Sequence, residues 1–136
     1  MQYKELAGNL SHQVYLESTG NAASTGNLPV WRAPLKCTVT AVTLVPSAAI
    51  TADGTNYAIY TLTRHTAGAT ATSVATRSWI ATNSVALTEE SMTLSGTAAN
   101  LLLAAGDTLT AIKTVAGTGL VIPAALIVVT YQLAGI

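Results

Sequence analysis

The chain contains few of the residues on which several classes of protein depend. Its 136 residues include no phenylalanine, one cysteine and only 9% charged side chains, against about 25% in ordinary soluble domains. With no second cysteine, Cys37 forms no intramolecular disulfide, and we expect it to be a small buried side chain rather than a catalytic thiol. The longest apolar stretch, residues 120–129, is about half the length of a spanning helix and contains Pro123.

The few charges are balanced and scattered, which argues against nucleic acid as a partner. Six basic and six acidic side chains cancel, whereas nucleic-acid binders carry a basic stripe. The basic residues are Lys4, Arg32, Lys36, Arg64, Arg77 and Lys113. We therefore expect neither nucleic acid nor a membrane as a direct partner. Residues 1–5 lack the apolar core of a signal peptide, which indicates synthesis in the cytoplasm.

What the chain does have is typical of β-structure. Threonine, alanine, valine and leucine dominate, and threonine and valine favour pleated, half-buried surfaces. Small core side chains bury little area each, at about 0.8 kcal/mol per buried CH₂. Such a core gains from further burial in an oligomer, so we expect self-association.

The composition divides the chain at about residue 28. Residues 18–27 are a linker by composition, and Ser11, His12 and Gln13 interrupt the sparse apolar pattern before it. We therefore predict an N-terminal arm and linker over residues 1–28 and a β-domain over residues 29–136. The arm is expected to pack on its own domain, on a sister subunit or on a partner.

From Pro29 onward the sequence predicts strands separated by turns. No stretch of a dozen residues has helical periodicity, although residues 98–103 could form one helical turn. Residues 53–56 and 105–107 are turn sequences, and residues 116–119 predict a hairpin loop. The predicted strands are residues 30–33, 36–45, 57–64, 74–82, 85–94, 108–115 and 125–133, with Leu87, Met92 and Leu94 expected in the core. Regular spacing of this kind predicts an all-β fold, a single jelly-roll-like β-sandwich with an extended N-terminal arm.

Two segments resemble capsid decoration (cement) proteins of tailed bacteriophages. Residues 103–111, a Gly-Thr-Gly loop and residues 125–131 resemble the last two strands of trimeric jelly rolls, in which the two strands pair. Gly106 permits a positive φ in the turn, and Asp107 can bond local amides. Residues 31–42 resemble the first core strand of the decoration proteins, which also begin with a polar arm.

The resemblance implies a partner and a place in an assembly. Decoration proteins of this type are trimers that sit on the capsid exterior and clamp neighbouring coat subunits. It therefore implies that this chain binds the major capsid protein and itself, as a homotrimer. No catalytic or metal residue is carried over from that family, and no cofactor is implied.

A search for catalytic and metal-binding motifs gives no positive prediction. His12 and His65 have no second histidine or cysteine at ligand spacing. Glu89 and Glu90 are neighbours on a predicted strand and point to opposite faces, so they cannot serve one site together. Residues 53–56 could offer oxygens to calcium, but a plain turn is favoured. We expect no enzyme activity.

The sequence therefore predicts a structural virion protein that stabilises a capsid by bridging coat subunits. The alternative is a receptor-binding or fibre-head domain of lectin type, because one fold serves both functions. Trp31 and Trp79 are open between core and interface, with Trp31 favoured for the interface because it follows the arm. The partner-binding residues predicted are Tyr3, Leu6, Leu10, Val14, Tyr15, Leu16, Trp31 and Arg32.

Overall fold

The structure, a computed structural model, describes residues 8–67 and 69–133. It contains ten strands and one short 3-10 helix, and no α-helix occurs within these residues. In chain order the strands are β1 (Leu10–Leu16), β2 (Gly26–Arg32), β3 (Cys37–Pro46), β4 (Ala58–His65), β5 (Thr72–Ser78), β6 (Glu90–Ser91), β7 (Thr93–Leu94), β8 (Leu102–Leu103), β9 (Thr108–Val115) and β10 (Ala125–Leu133). The 3-10 helix, Ala98–Leu101, lies where one helical turn was predicted.

The strands form two antiparallel sheets packed face to face, which confirms the prediction of an all-β fold. Sheet A has the order β1-β10-β3-β6, with β8 also paired to β3. Sheet B has the order β2-β9-β4-β5-β7. In the part of the chain that the structure describes, no helix is long and apolar enough to cross a membrane.

The core lies between the two sheets and is built from alternate residues of each strand. On β3, Cys37, Val39, Val42 and Leu44 are buried, and a register shift opposite Thr130/Tyr131 accounts for the break in the alternation. The prediction that Cys37 is a buried strand residue is therefore confirmed. Other large buried side chains are Trp79, Leu62, Leu103, Leu109, Ile122, Ile127, Val74 and Val129.

The last two strands have the predicted bounds but not the predicted partnership. β9 belongs to sheet B and β10 to sheet A, so residues 116–119 do not close a hairpin. Instead, residues 116–124 cross from one sheet to the other, with positive φ at Gly117 and Gly119. The hairpin prediction was wrong because glycine-rich sequence indicates a change of direction and does not specify the strand that follows it.

The predicted strand over residues 85–94 is replaced by a loop and two very short strands. β6 pairs with β3 in sheet A and β7 with β5 in sheet B, so the chain changes sheet at Met92. Met92 is buried as predicted, and its backbone N–H donates to Val42 O at 2.9 Å. Leu87 was wrongly predicted in the core: it is 77% exposed and has a φ of 55°.

Residues 8–28 do not form an arm separate from the domain. β1 pairs with β10 along its full length, and β2 begins at Gly26 and pairs with β9. The division predicted between residues 28 and 29 therefore runs through β2. The sequence left open whether the N-terminal segment packs on its own domain, on a sister subunit or on a partner. Residues 10–16 pack on their own domain.

Candidate interaction surface

Strand β1 carries four of the predicted partner-binding residues, and they face two different ways. Leu10, Val14 and Leu16 point inward, toward the core, and Leu16 is buried. Tyr15 points outward and is 66% exposed. Of these four side chains, only that of Tyr15 is exposed to solvent. Tyr3 and Leu6 lie outside the described residues.

Trp31 and Arg32 lie on β2, at the edge of sheet B. The Trp31 ring is half-buried and lies between two rings of sheet A, 5.7 Å from His12 and 4.7 Å from Tyr131 between centroids. Trp31 thus joins the two sheets along the side of the sandwich where β1 and β2 are the edge strands. Arg32 is exposed.

The outer face of sheet A has an uncharged centre. Three rows cross it, each taking one residue from β1, β10 and β3. The first row is Tyr15, Leu126 and Val45; the second is Gln13, Val128 and Thr43; the third is Ser11, Thr130 and Ala41. We call these nine residues the outer face. Apart from the exposed Ser11, Gln13 and Tyr15, its members are half-buried.

A loop with two exposed apolar residues lies beside the end of β3. Leu87 N–H donates to Pro46 O at 2.8 Å, which places the loop beside the end of β3 that carries Val45. The loop exposes both Val85 and Leu87 to solvent. Leucine at a positive φ costs roughly 1–2 kcal/mol relative to a right-handed conformation. The chain therefore presents a large apolar side chain at a strained turn.

This arrangement suits contact with another protein. Burying charged groups at an interface is expensive, and the cores of interfaces are accordingly depleted of them. None of the nine residues of the outer face is charged. A protein that covers this face would therefore bury apolar area without burying an unpaired charged side chain. Singly scattered surface hydrophobics need no explanation, but a contiguous row does.

A second feature lies between the β1 and β2 edges, where a cavity of about 290 Å³ adjoins Lys113 and Tyr60. Lys113 is 3% exposed, and its Nζ donates to Thr19 Oγ1 at 3.2 Å, Asn21 O at 3.3 Å and Ala22 O at 3.1 Å. Burial lowers the pKa of Lys113 and raises the pKa of Tyr60 to about 12. These three hydrogen bonds connect the loop between β1 and β2 to β9 of sheet B.

The third feature is a polar cluster around Ser84. Its Oγ accepts from Trp79 Nε1 at 2.7 Å and from Arg77 Nη2 at 3.1 Å, and it donates to Glu90 at 2.7 Å. Arg77 Nε also pairs with Glu90 Oε1 at 3.0 Å, and the guanidinium lies 4.9 Å from the Trp79 ring centroid. Every polar group here is engaged with another member. The cluster holds the 79–90 segment against β5, and it places Trp79 in the core.

The remaining candidates from the sequence are structural in their observed contacts. His65 Nε2 lies 2.8 Å from Thr110 Oγ1, on a neighbouring strand. Asp53 Oδ1 accepts from the backbone N–H groups of Thr55 and Asn56, and these bonds, that to Asn56 above all, lower the pKa of its carboxyl group. The prediction of a turn at residues 53–56 is therefore confirmed. Within residues 8–67 and 69–133, no three His, Cys, Asp or Glu side chains are grouped to hold a metal ion.

Sequence reasoning named Tyr15 as a candidate but did not predict the outer face to which it belongs. Leu126 and Val128 on the outward side of β10 are apolar in the sequence, but an apolar pattern on one strand does not show which residues of other strands lie beside it. The register that joins these residues to Tyr15 and Val45 depends on pairing between opposite ends of the chain. Comparison of the chain with protein-family models, with curated proteins and with solved structures finds no match in any of the three.

Proposed function

We propose that the chain is a non-enzymatic structural virion protein that decorates a tailed-phage capsid and stabilises it by bridging coat subunits as a trimer. The observation that carries the proposal is the uncharged outer face of sheet A, together with the exposed Leu87 beside the end of β3. A protein with so few charges that leaves apolar residues in a row on one sheet is suited to work in contact with other subunits.

The order of the strands supports the finer fold assignment. With the strands taken from the ends of the chain inward, β1 pairs with β10, β2 with β9, β3 with the two-residue strands β6 and β8, and β4 with β5. Four antiparallel ribbons nested in this way and wrapped into two sheets are the arrangement of a jelly roll. The proposed jelly roll agrees with the resemblance to decoration proteins, and a fold by itself does not decide a function.

The mechanism is mechanical and follows from binding linkage. A ligand that binds only the assembled shell stabilises it by about 2.7 kcal/mol when its free concentration is 100 times its Kd. A contact of standard size needs roughly 800 Å² on each partner. The outer face and the 85–88 loop supply an apolar centre for such a contact, and the polar residues around them supply its rim.

The test is the mass of the purified protein by light scattering, alone and after incubation with shells assembled from the coat protein encoded in the same genome. The proposal predicts a trimer that co-sediments with shells and raises their melting temperature. The double substitution Tyr15→Lys with Leu87→Lys should abolish co-sedimentation. Ile80→Lys, at another exposed apolar residue outside sheet A, is the matched control and should bind normally.

Removal of the whole segment 1–28 is not a usable test of binding, since it removes both β1 and part of β2. Deleting residues 1–7 keeps every described strand and tests Tyr3 and Leu6 directly. If that deletion and the double substitution both leave shell binding unchanged, the proposal fails.

The rival function, a receptor-binding head of lectin type, makes a different demand on the aromatic residues. A glycan platform needs exposed rings, whereas Tyr60 and Trp79 are buried against each other with centroids 5.6 Å apart. Competable hits on a glycan array, together with no binding to shells, would favour that function.

A further inference from the structure

The described sheets have four edges, and three of them are shielded against pairing with another strand. β2 contains Pro29, which lacks an N–H donor, and its pairing with β9 shifts register between Pro29 and Trp31. β7, at the other edge of sheet B, has two residues. The outer side of β3 in sheet A is occupied by the two-residue strands β6 and β8. Short strands, prolines and bulges are the devices by which proteins block edge pairing.

β1 has none of these devices. It is seven residues long, contains no proline, glycine, lysine, arginine, aspartate or glutamate, and pairs with β10 without a register shift. Within the described residues, no backbone group outside β10 bonds to it. A regular, uncharged edge of this length offers a row of N–H and C=O groups to an incoming strand.

We infer that the occupant of this edge is β1 of a second copy, paired antiparallel about a two-fold axis so that sheet A continues across two protomers. Among the described strands, β1 is the one long edge without such shielding. If two copies pair edge to edge, β1 of one copy must therefore pair with β1 of the other. Such a contact uses the same surface on both copies and is isologous. Because β1 contains no lysine, arginine, aspartate or glutamate, no two such side chains of like charge meet in the pair.

The sequence of β1 is self-complementary when the axis passes through Gln13. Leu10 then lies opposite Leu16 of the partner subunit, and His12 opposite Val14 of the partner subunit, all on the inward side. On the outward side Ser11 lies opposite Tyr15 of the partner subunit, and Gln13 meets its own counterpart, where two amides can bond. The outer faces of the two copies join into one surface.

The two-fold contact does not rest on the proposed capsid function. It uses a different symmetry operator from a three-fold contact, so it can coexist with a trimer by linking neighbouring trimers, or it can act alone as a dimer. A dimer that ignores shells would support this inference and contradict the proposed function. A trimer that binds shells but shows no two-fold contact would do the reverse.

The experiment combines mass measurement with cross-linking. Gln13→Lys places two like charges at the axis and should weaken the two-fold association at least about tenfold, since like charges in direct opposition and a lysine on an edge both disfavour pairing. Thr40→Lys puts the same charge on β3, away from the edge, and should leave the association unchanged. The association is measured by sedimentation equilibrium between 1 and 100 μM protein. The quantity compared between variants is the fraction of protein in oligomers with an even number of subunits.

Cross-linking tests the register. In a Cys37→Ala background, Gln13→Cys should form a disulfide-linked dimer on mild oxidation, because the Cβ atoms of directly opposed residues are close enough to bridge. Ser11→Cys alone should not cross-link, whereas Ser11→Cys with Tyr15→Cys should. If Gln13→Cys stays monomeric on a non-reducing gel and Gln13→Lys leaves the mass distribution unchanged, the inference is overturned.

Discussion

The hydroxyl oxygen of Ser84 accepts a hydrogen bond from the indole N–H of Trp79 at 2.7 Å. Trp79 is fully buried, and the same oxygen is joined to Arg77 and Glu90. One small side chain in an irregular segment thus satisfies the polar atom of the largest residue in the core.

Replacing Ser84 by alanine should therefore cost more than an ordinary serine substitution. A buried donor left unpaired costs about 1–3 kcal/mol, and we expect a loss in this range from the free energy of unfolding in urea. Ser91→Ala, at an exposed serine on β6, is the control and should change stability by less than about 0.5 kcal/mol. Equal effects of the two substitutions would contradict the role assigned to Ser84.

Cys37 should make the fold sensitive to alkaline pH. Burial, and secondarily the charge of Asp107, raises the pKa of its thiol from 9.0 to about 11. The folded state favours the protonated thiol, so the free energy of unfolding is unaffected by this group below pH 9 and falls as pH rises toward 11. Urea unfolding of the wild type and Cys37→Ala between pH 7 and 10.5 measures it.

The difference between the wild type and Cys37→Ala reports the effect of the thiol alone, because Lys113 and Tyr60 are present in both proteins. We expect the wild type to lose stability more steeply above pH 9 than Cys37→Ala does. Parallel pH profiles would show that the thiol ionises as readily in the folded protein as in the unfolded chain.

Lys113 should control the order of one loop more than the stability of the whole. Its ammonium group holds three oxygens of residues 19–22, but its burial is itself unfavourable, as its lowered pKa indicates. Lys113→Met removes both effects, so we expect a change in global stability below about 2 kcal/mol. Amide exchange at Thr19, which donates to Ile122 O, should accelerate about tenfold or more. Lys36→Met, at an exposed lysine, should change neither quantity.

The crossover between the sheets depends on a glycine. Gly119 has a φ of 77°, and a Cβ there would overlap the carbonyl group of Ala22. Gly119→Ala should lose at least about 3 kcal/mol or fail to fold. Gly20→Ala is matched to it, because Gly20 has a φ of 65° but open space around it. That control should lose only about 1 kcal/mol, from the backbone conformation, and thermal melting of both variants measures the difference.

Leu87 allows stability and assembly to be separated. Asparagine tolerates a left-handed backbone better than leucine, so Leu87→Asn should raise the free energy of unfolding by about 0.5 kcal/mol. Loss of the apolar side chain should at the same time weaken shell binding in the co-sedimentation assay. A variant that is less stable, or that binds as the wild type does, would show that the residue has another role.

The sequence predicted strands best where local pattern and tertiary environment agree. β9 and β10 begin and end at the predicted residues because β-branched residues fill them and turn residues bound them. β1 was not predicted because Ser11, His12 and Gln13 suggested an interruption. In the structure His12 occupies an inward position and stacks on Trp31, so it continues the alternation of Leu10 and Val14. A histidine that packs as an apolar residue is not recognisable from one sequence.

The candidate surface was harder to predict than the strands for a physical reason. The outer face depends on the register of β1 against β10 and of β10 against β3, which no local pattern encodes. The polar cluster around Ser84 likewise depends on the salt bridge between Arg77 and Glu90, which an irregular loop separates in sequence. Exposure of Leu87 could not be read from its residue type, which favours burial.

The central position of β10 in sheet A has a consequence for biosynthesis. In sheet A, β10 lies between β1 and β3, so β10 is the strand with which β1 pairs. During synthesis on the ribosome, β1 therefore remains unpaired until Ala125–Leu133 emerges. Pairing of such sequence-distant segments is slow. During that interval the uncharged edge and the apolar side of β1 are both open, so nascent chains on one messenger are exposed to mispairing with each other.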